Sequence, residues 1–136
     1  MKSSIHKTGN KYLLDTNIIV EIFGGNVKIA DKVHSLNGFA ICPIVLGELY
    51  VGVNSVKNKN KHLKVLDSFM QLCTLLDVND ETAIHYGAIM AQLHKKGKPI
   101  PTNDVWIAAV AQQYGYTLVT ADKHFDEIGE LAVTKW

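Results

Sequence analysis

Pro101 to Asp122 reads PTNDVWIAAVAQQYGYTLVTAD, and this pattern indicates a buried helix followed directly by a buried strand. Apolar residues occupy nearly every side of a helix drawn over Thr102–Tyr114, which is typical of a helix enclosed by protein. Gly115 is suited to end that helix. Thr117–Thr120 then has the length and composition of a short interior strand. A helix and a strand buried together predict the centre of the fold.

The rest of the chain alternates short apolar runs with helical patterns. Strands are predicted at Tyr12–Leu14, Phe39–Cys42, Cys73–Leu76 and Ala132–Thr134. Helices are predicted at about Ile18–Phe23, Val27–Leu36 and Ile44–Val53, and in a segment around Leu63–Met70 that follows a lysine-rich run. A long helix is opened by Asn79-Asp80-Glu81-Thr82 and runs to about Lys96. Strands that alternate with helices predict an α/β fold, with a central parallel sheet of four or five strands flanked by helices on both faces.

Length and composition predict one domain. The chain has 136 residues, of which 47% are hydrophobic, and this is enough for one core but too little for two ordinary domains. Its apolar runs are shorter than the roughly 18–20 residues that cross a bilayer. Met1–Lys7 lacks the apolar centre of a secretory signal. With Cys42 and Cys73 read as reduced core residues, these features predict a cytoplasmic protein that does not associate with membranes.

The basic residues are unusual in kind and grouping. The net charge is only +1, and the basic residues are 14 lysines with no arginine. Two groups stand out: Lys57, Lys59, Lys61 and Lys64, then Lys95, Lys96 and Lys98. Such runs are commonly a solvated surface. The alternative is two phosphate-attracting patches beside an acidic pocket.

Four acidic residues lie in or at the end of apolar segments: Asp15, Glu48, Asp104 and Asp122. An ionised carboxylate that is buried without a partner costs several kcal/mol or shifts its pKa until it is neutral. Four acids placed in this way predict a shared cation.

The predicted elements allow these acids to meet. Asp15 follows the first strand and Asp122 lies just after the fourth, so both fall at the carboxyl edge of the sheet, where ligands gather in such folds. Glu48 faces an apolar side of its helix, and Asp104 lies in the first turn of the buried helix. Thr120 ends the fourth strand and is one of the polar neighbours that orient acids or cap helices.

Each acid also has a plain structural explanation. Asp104 is suited to a helix N-terminus, Asp122 to a turn, and Glu48 to pairing with a lysine. Asp77 follows an apolar strand in the same way as Asp15, so an acid at a strand end is weak evidence by itself. The prediction therefore rests on the four acids together.

Oxygen ligands without a convergent Cys/His spacing favour Mg²⁺ or Mn²⁺ over Zn²⁺. His124, two residues after Asp122, is close enough in sequence to reach the rim of the site, but the pattern favours a surface or core position for it. A hard cation held by carboxylates activates water and offsets charge on a phosphate under attack. The pattern therefore predicts hydrolysis of a phosphate ester.

Three segments carry a resemblance to a known family: Leu14-Asp15-Thr16-Asn17, Gly47-Glu48-Leu49, and the stretch from Pro101 to Phe125 with Asn103-Asp104, Thr120-Ala121-Asp122 and His124-Phe125. In order and spacing the chain resembles the PIN domain family, and within it the VapC-type ribonuclease toxins. The likeness extends from about Tyr12 to the C-terminus.

The resemblance implies a three-layer PIN-like fold and a Mg²⁺- or Mn²⁺-dependent endoribonuclease that acts as the toxin of a type II toxin–antitoxin module. It implies that Asp15, Glu48, Asp104 and Asp122 are catalytic and bind the metal, with Thr120 as a supporting residue. It further implies an RNA substrate, a cognate antitoxin protein and a homodimer. Residues 1–10 precede the first motif and are expected to form a flexible tail on a single domain over 1–136.

Two alternatives remain open at this point. One is a catalytically silent PIN-like module that binds RNA or protein. The other is a phosphatase of the haloacid dehalogenase type, which also has an Asp after its first strand. That enzyme requires a second Asp two positions later, where this chain has Asn17.

Overall fold

The computed structural model describes residues 11–136, and its centre is a five-stranded sheet. The strands are β1 (Tyr12–Leu14), β2 (Ala40–Ile41), β3 (Thr74–Leu75), β4 (Thr117–Thr120) and β5 (Val133–Lys135). They pair in the order β3-β2-β1-β4-β5, and every pairing is parallel. The predicted parallel sheet is confirmed. The tail predicted for residues 1–10 lies outside the described residues.

Helices flank this sheet and confirm the α/β class. They are α1 (Thr16–Phe23), α2 (Val27–Ser35), α3 (Pro43–Asn54), α4 (Lys59–Met70), α5 (Asp80–Lys96) and α6 (Thr102–Tyr114). A short 3₁₀ helix, Lys123–Glu127, follows β4 and was not predicted. It is held in place by Phe125, whose side chain is fully buried.

The strand order reverses between β1 and β4, and this reversal positions the site. The chain builds β1, β2 and β3 outward in one direction, then returns to place β4 on the other side of β1. Leu14 is in register with Val119, and the backbone N–H of Asp15 donates to the Val119 carbonyl at 2.9 Å. The ends of these two strands therefore lie side by side, where ligand sites form in open α/β sheets.

Helix α6 is the central helix, as its sequence predicts. Val105, Ile107 and the run Ala108–Ala111 are fully buried. Against α5, the rings of Trp106 and Tyr86 stack with centroids 4.1 Å apart. The helix ends at Gly115, which has a φ of 71° in the left-handed region where glycine carries no steric penalty. Both predicted ends of this helix are confirmed.

Several predicted boundaries need correction. Helix α1 begins at Thr16 and not at Ile18, because Asp15 itself is the N-cap residue. Strands β2 and β3 have two residues each, shorter than predicted, since the parallel ladder ends before the apolar run does. Helix α4 begins at Lys59, inside the lysine-rich run.

Two further sequence expectations have mixed outcomes. Both cysteines are free thiols, but only Cys42 is buried, whereas Cys73 is half-buried. Burial raises the pKa of the Cys42 thiol to about 11, so it stays protonated and behaves as an apolar core residue.

Over residues 11–136, every helix is too short or too polar to cross a bilayer.

Candidate active site

Asp15 lies at the end of β1 and is almost fully buried, with 4% of its surface exposed. Its Oδ1 accepts a hydrogen bond from the Thr16 backbone N–H at 2.8 Å. Its Oδ2 accepts from the Thr120 hydroxyl at 2.7 Å and from Asn17 Nδ2 at 3.2 Å. Burial raises the pKa of Asp15 from its ordinary 3.8 to about 6, although the bonds from Thr120 and Thr16 oppose that rise. Nearby negative charge on Asp104 and Glu48 raises it further.

Thr120 joins the ends of β1 and β4. Its fully buried hydroxyl donates to Asp15 and accepts from the backbone N–H of Asp122 at 3.0 Å. Asn17 adds a second link, because its Oδ1 accepts from the Ala121 backbone N–H at 3.2 Å. Thr120 therefore orients two of the predicted acids at once, and its own position is set by the strand pairing.

Glu48 reaches the same edge from helix α3. Its carboxylate accepts from the Thr16 hydroxyl and from Asn103 Nδ2, the latter at 3.2 Å. The side chains of Thr16 and Asn103 therefore hold Glu48 at this edge of the sheet. Within residues 11–136 Glu48 has no lysine at ion-pairing distance, so the lysine-partner explanation has no support there.

Asp104 and Asp122 face each other across His124. The imidazole Nδ1 of His124 lies 3.0 Å from Asp104 Oδ2 and 3.2 Å from Asp122 Oδ1. Burial raises the pKa of Asp104, and the hydrogen bond from His124 opposes the rise. That hydrogen bond in turn raises the pKa of His124.

The sequence favours a surface or core position for His124 over one at the rim of the site. In the structure the residue is exposed, and its imidazole also contacts two of the predicted acids. Asp122 caps the 3₁₀ helix by accepting the His124 backbone N–H at 2.9 Å, and this tight turn aims the imidazole back toward α6. The short spacing between Asp122 and His124 was the one feature of the sequence that indicated this contact. It brings the imidazole to Asp104 only because the residues form a 3₁₀ turn, which the sequence did not predict.

One open cleft of about 430 Å³ lies among these groups. Its lining includes all four predicted acids: Asp15, Glu48, Asp104 and Asp122, together with Thr16, Asn17, Val20 and Glu21. Asp77 is exposed and lies elsewhere, with its carbonyl accepting a bond from the Tyr114 hydroxyl. The structure therefore separates the four acids from the strand-end acid that imitates them.

A second groove, of about 410 Å³, adjoins this cleft and is lined by Val20 and Glu48 as well. It runs between α1, α3 and α4, and Lys61 and His62 line its far side. The first group of lysines, Lys57, Lys59, Lys61 and Lys64, is exposed at this end of α4. In the second group, Lys96 is engaged with the carbonyl and carboxylate of Glu127, which leaves it less suited to phosphate.

The sequence matches the family described as PIN domain over residues 12–131. The chain belongs to the PIN domain family. Among curated relatives, Ribonuclease VapC2 of Haemophilus influenzae is 32% identical over 129 residues, covering 93% of this chain and 98% of that protein. Ribonuclease VapC1 of Rickettsia felis is 37% identical over 125 residues, covering 89% and 92%.

A solved structure agrees with this membership. The crystal structure of VapBC2 from Rickettsia felis, bound to a DNA fragment from its promoter, superposes with a TM-score of 0.87 at 32% identity. The match covers 93% of this chain and 98% of that one. Membership in the PIN domain family leaves the haloacid dehalogenase alternative without support.

The donor chemistry of this PIN domain cleft fits a divalent cation. Within residues 11–136, His124 is the one basic side chain within 4 Å of any of the four acids. Carboxylate oxygens are the ligands that Mg²⁺ and Mn²⁺ take in proteins. Ligand atoms of Asp104, Asp122 and His124 all lie within 4.8 Å of one another. An imidazole therefore stands beside the carboxylates, in addition to the oxygen donors that the sequence predicts.

Proposed function

We propose that this protein is a Mg²⁺- or Mn²⁺-dependent endoribonuclease that hydrolyses RNA phosphodiester bonds as the toxin of a type II toxin–antitoxin pair. The observation that carries the proposal is the convergence of four carboxyl groups, from four separate parts of the chain, on one open cleft. Family membership supports it, as do curated relatives named Ribonuclease VapC that are 37% and 32% identical over about nine-tenths of this chain.

The side chains would divide the work according to their surroundings. Asp104, Asp122, Asp15 and Glu48 would hold the cation. Bound there, Mg²⁺ or Mn²⁺ supplies Lewis acidity that activates water and offsets charge on the phosphate. Thr120 would act as a positioning residue, because its hydroxyl fixes the carboxylate of Asp15. Reacting groups held in place in advance lower the entropic part of the barrier.

The lysine-rich start of α4 would guide the RNA backbone. Lys57, Lys59 and Lys61 surround an exposed hollow, and Lys61 also lines the groove that Glu48 shares with the acidic cleft. Lysine attracts phosphate as a point charge, without the paired hydrogen bonds of arginine. RNA binding should therefore weaken as salt rises.

The relatives support a proposal about partners. Solved structures of relatives from Rickettsia felis and Haemophilus influenzae are described as VapBC. We infer a cognate antitoxin protein for this chain, a homodimeric state and a cytoplasmic location.

Cleavage of a mixed RNA tests the enzymatic proposal. Wild-type protein should cut RNA with Mg²⁺ or Mn²⁺ and stop when EDTA is added. Asp104→Asn should lower the cleavage rate by about 100-fold or more, because it removes charge where the cation binds. The matched control is Asp77→Asn, which changes an exposed strand-end acid outside the cleft and should leave the rate within about twofold of the wild-type rate.

The same assay separates the alternative, a silent module that binds RNA or protein. RNA binding without metal-dependent cleavage would reject the nuclease and favour that module. Growth arrest on expression, lost with Asp104→Asn and relieved by the protein encoded in the adjacent reading frame, tests the toxin role.

A further inference from the structure

His124 stands beside the acidic cleft, in contact with two of the carboxylates that line it. Its imidazole is held from two sides, with Nδ1 3.0 Å from Asp104 Oδ2 and 3.2 Å from Asp122 Oδ1. The backbone around it is anchored as well, because the next residue, Phe125, is fully buried and the His124 N–H is bonded to Asp122. The ring therefore has a defined direction although 48% of its side chain is exposed.

The distances from Nδ1 to the two carboxylates match the spacing of adjacent ligand atoms in an octahedral metal site. Ligand atoms bound at about 2.1 Å and at right angles to each other lie about 3 Å apart. The two distances from Nδ1 agree with adjacent positions, and the three ligand atoms lie within 4.8 Å of one another. In the structure Nδ1 donates to Asp104, so cation binding requires that Nδ1 give up this proton. A neutral imidazole with its proton on Nε2 then presents the Nδ1 lone pair to the cation.

We propose that His124 Nδ1 is a direct ligand of the cation held by Asp104 and Asp122, and that it makes the site prefer a first-row transition metal such as Mn²⁺ over Mg²⁺. This inference rests on the proposed metal-dependent function. Its chemical basis is that imidazole binds transition metals well, whereas Mg²⁺ prefers oxygen ligands and retains its water. Carboxylates alone would discriminate less between the two ions.

The informative substitution is His124→Asn. An asparagine side chain places an amide oxygen close to where Nδ1 stands, so it exchanges a nitrogen donor for an oxygen donor with little change of shape. By calorimetry of the metal-free protein, the ratio of Mn²⁺ to Mg²⁺ affinity should fall by about tenfold in this variant. His34→Asn, on the exposed side of α2, is the matched control and should leave the ratio unchanged.

Pulsed electron paramagnetic resonance of the Mn²⁺-loaded protein gives a direct reading of the ligand. Wild type and His34→Asn should show a ¹⁴N coupling from an imidazole, and His124→Asn should lose it. A wild-type spectrum without nitrogen coupling, or an unchanged affinity ratio in His124→Asn, would overturn the proposal.

These outcomes are distinguishable from failure of the proposed function. Wild-type protein that binds neither ion, or binds equally well after Asp104→Asn, would reject both the metal site and the role of His124. Metal-dependent RNA cleavage together with a spectrum that lacks nitrogen coupling would reject the role of His124 alone.

Discussion

At the scale of single residues, Asp15 concentrates the electrostatic cost of the cleft. It is buried, and its pKa of about 6 lies above the ordinary 3.8. Each pKa unit corresponds to about 1.4 kcal/mol, so ionising Asp15 in the folded protein costs about 3 kcal/mol more than in the unfolded chain. Thr120, Thr16 and Asn17 already donate to this carboxylate, and a bound cation would offset the remaining cost of its charge.

The pH dependence of stability tests this cost. The pKa of Asp15 is higher in the folded protein than in the unfolded chain. The contribution of protonated Asp15 to the free energy of unfolding is therefore fully present below about pH 4 and is lost as the pH rises through about 6. Asp15→Asn cannot ionise. In EDTA, its free energy of unfolding relative to wild type should therefore rise by about 2.5 kcal/mol between pH 4 and pH 7.5.

Urea denaturation at several pH values measures this difference. Any change in hydrogen bonding caused by the amide adds a constant offset, so the slope with pH isolates the ionisation of residue 15. A difference that stays constant over this range would show that Asp15 ionises without penalty in the folded protein.

At the scale of elements, ordinary helix and turn geometry carries the acids to the cleft. Asp15 caps α1 and Asp122 caps the 3₁₀ helix, so each acid has a structural task as well as a place in the site. Asp104 stands in the first turn of α6, where the helix dipole favours negative charge. The position of Asp104 relative to the edge of the sheet depends on how α6 is placed, and therefore on where this helix begins and ends.

The conformation of Gly115 at the end of α6 predicts how an alanine there changes stability. Gly115 has a φ of 71°, and an alanine there pays about 1–2 kcal/mol for the left-handed conformation. Gly87 is exposed within α5, and a Cβ added there meets nothing within 4 Å. Gly115→Ala should therefore lower the free energy of unfolding, whereas Gly87→Ala should raise it by up to about 1 kcal/mol.

Urea denaturation of the two variants beside wild type checks the pair of signs. The same chemical change is made at both positions, so opposite outcomes assign the effect to backbone conformation. Equal outcomes would mean that α6 ends in some other way in solution.

At the scale of the whole molecule, sheet order gathers acids that sequence keeps far apart. Asp15 and Asp122 are separated by 107 positions, yet β1 and β4 are neighbours and their ends adjoin. Glu48 and Asp104 arrive from helices that follow different strands. Like charges collected in this way destabilise the metal-free fold, so folding and cation binding should be linked.

Thermal unfolding tests that linkage. A ligand that binds the folded state alone, at about 100 times its dissociation constant, adds about 2.7 kcal/mol of stability. For a chain of this length the melting temperature should rise by roughly 10 °C when Mn²⁺ is added, and EDTA should reverse the rise.

Two variants show whether the acidic cleft causes this rise. Asp77→Asn, outside the cleft, should respond to Mn²⁺ as wild type does. Asp104→Asn should lose most of the response. An equal rise in both variants would place the stabilising metal elsewhere.

Local patterns predicted some elements closely and others less well. The bounds of α6 and β4 were predicted, because an apolar pattern on all sides of the helix and a glycine at its C-terminus can be recognised from neighbouring residues in the sequence. The ends of β2 and β3 were not, since a strand ends where its neighbour in the ladder ends. The contact of His124 with Asp104 also escaped prediction, because it joins residues from two elements through a 3₁₀ turn.

Residue order alone was enough to predict the α/β class, the central helix and four acids in apolar settings, because each depends on hydrophobic pattern and chain breakers within a short window. Only the tertiary structure decided that these acids share one cleft, that Asp15 has a pKa of about 6, and that an imidazole stands among the carboxylates. These properties arise from the reversal of strand order between β1 and β4 and from the removal of water by the assembled core. Neither exists until distant segments have packed together.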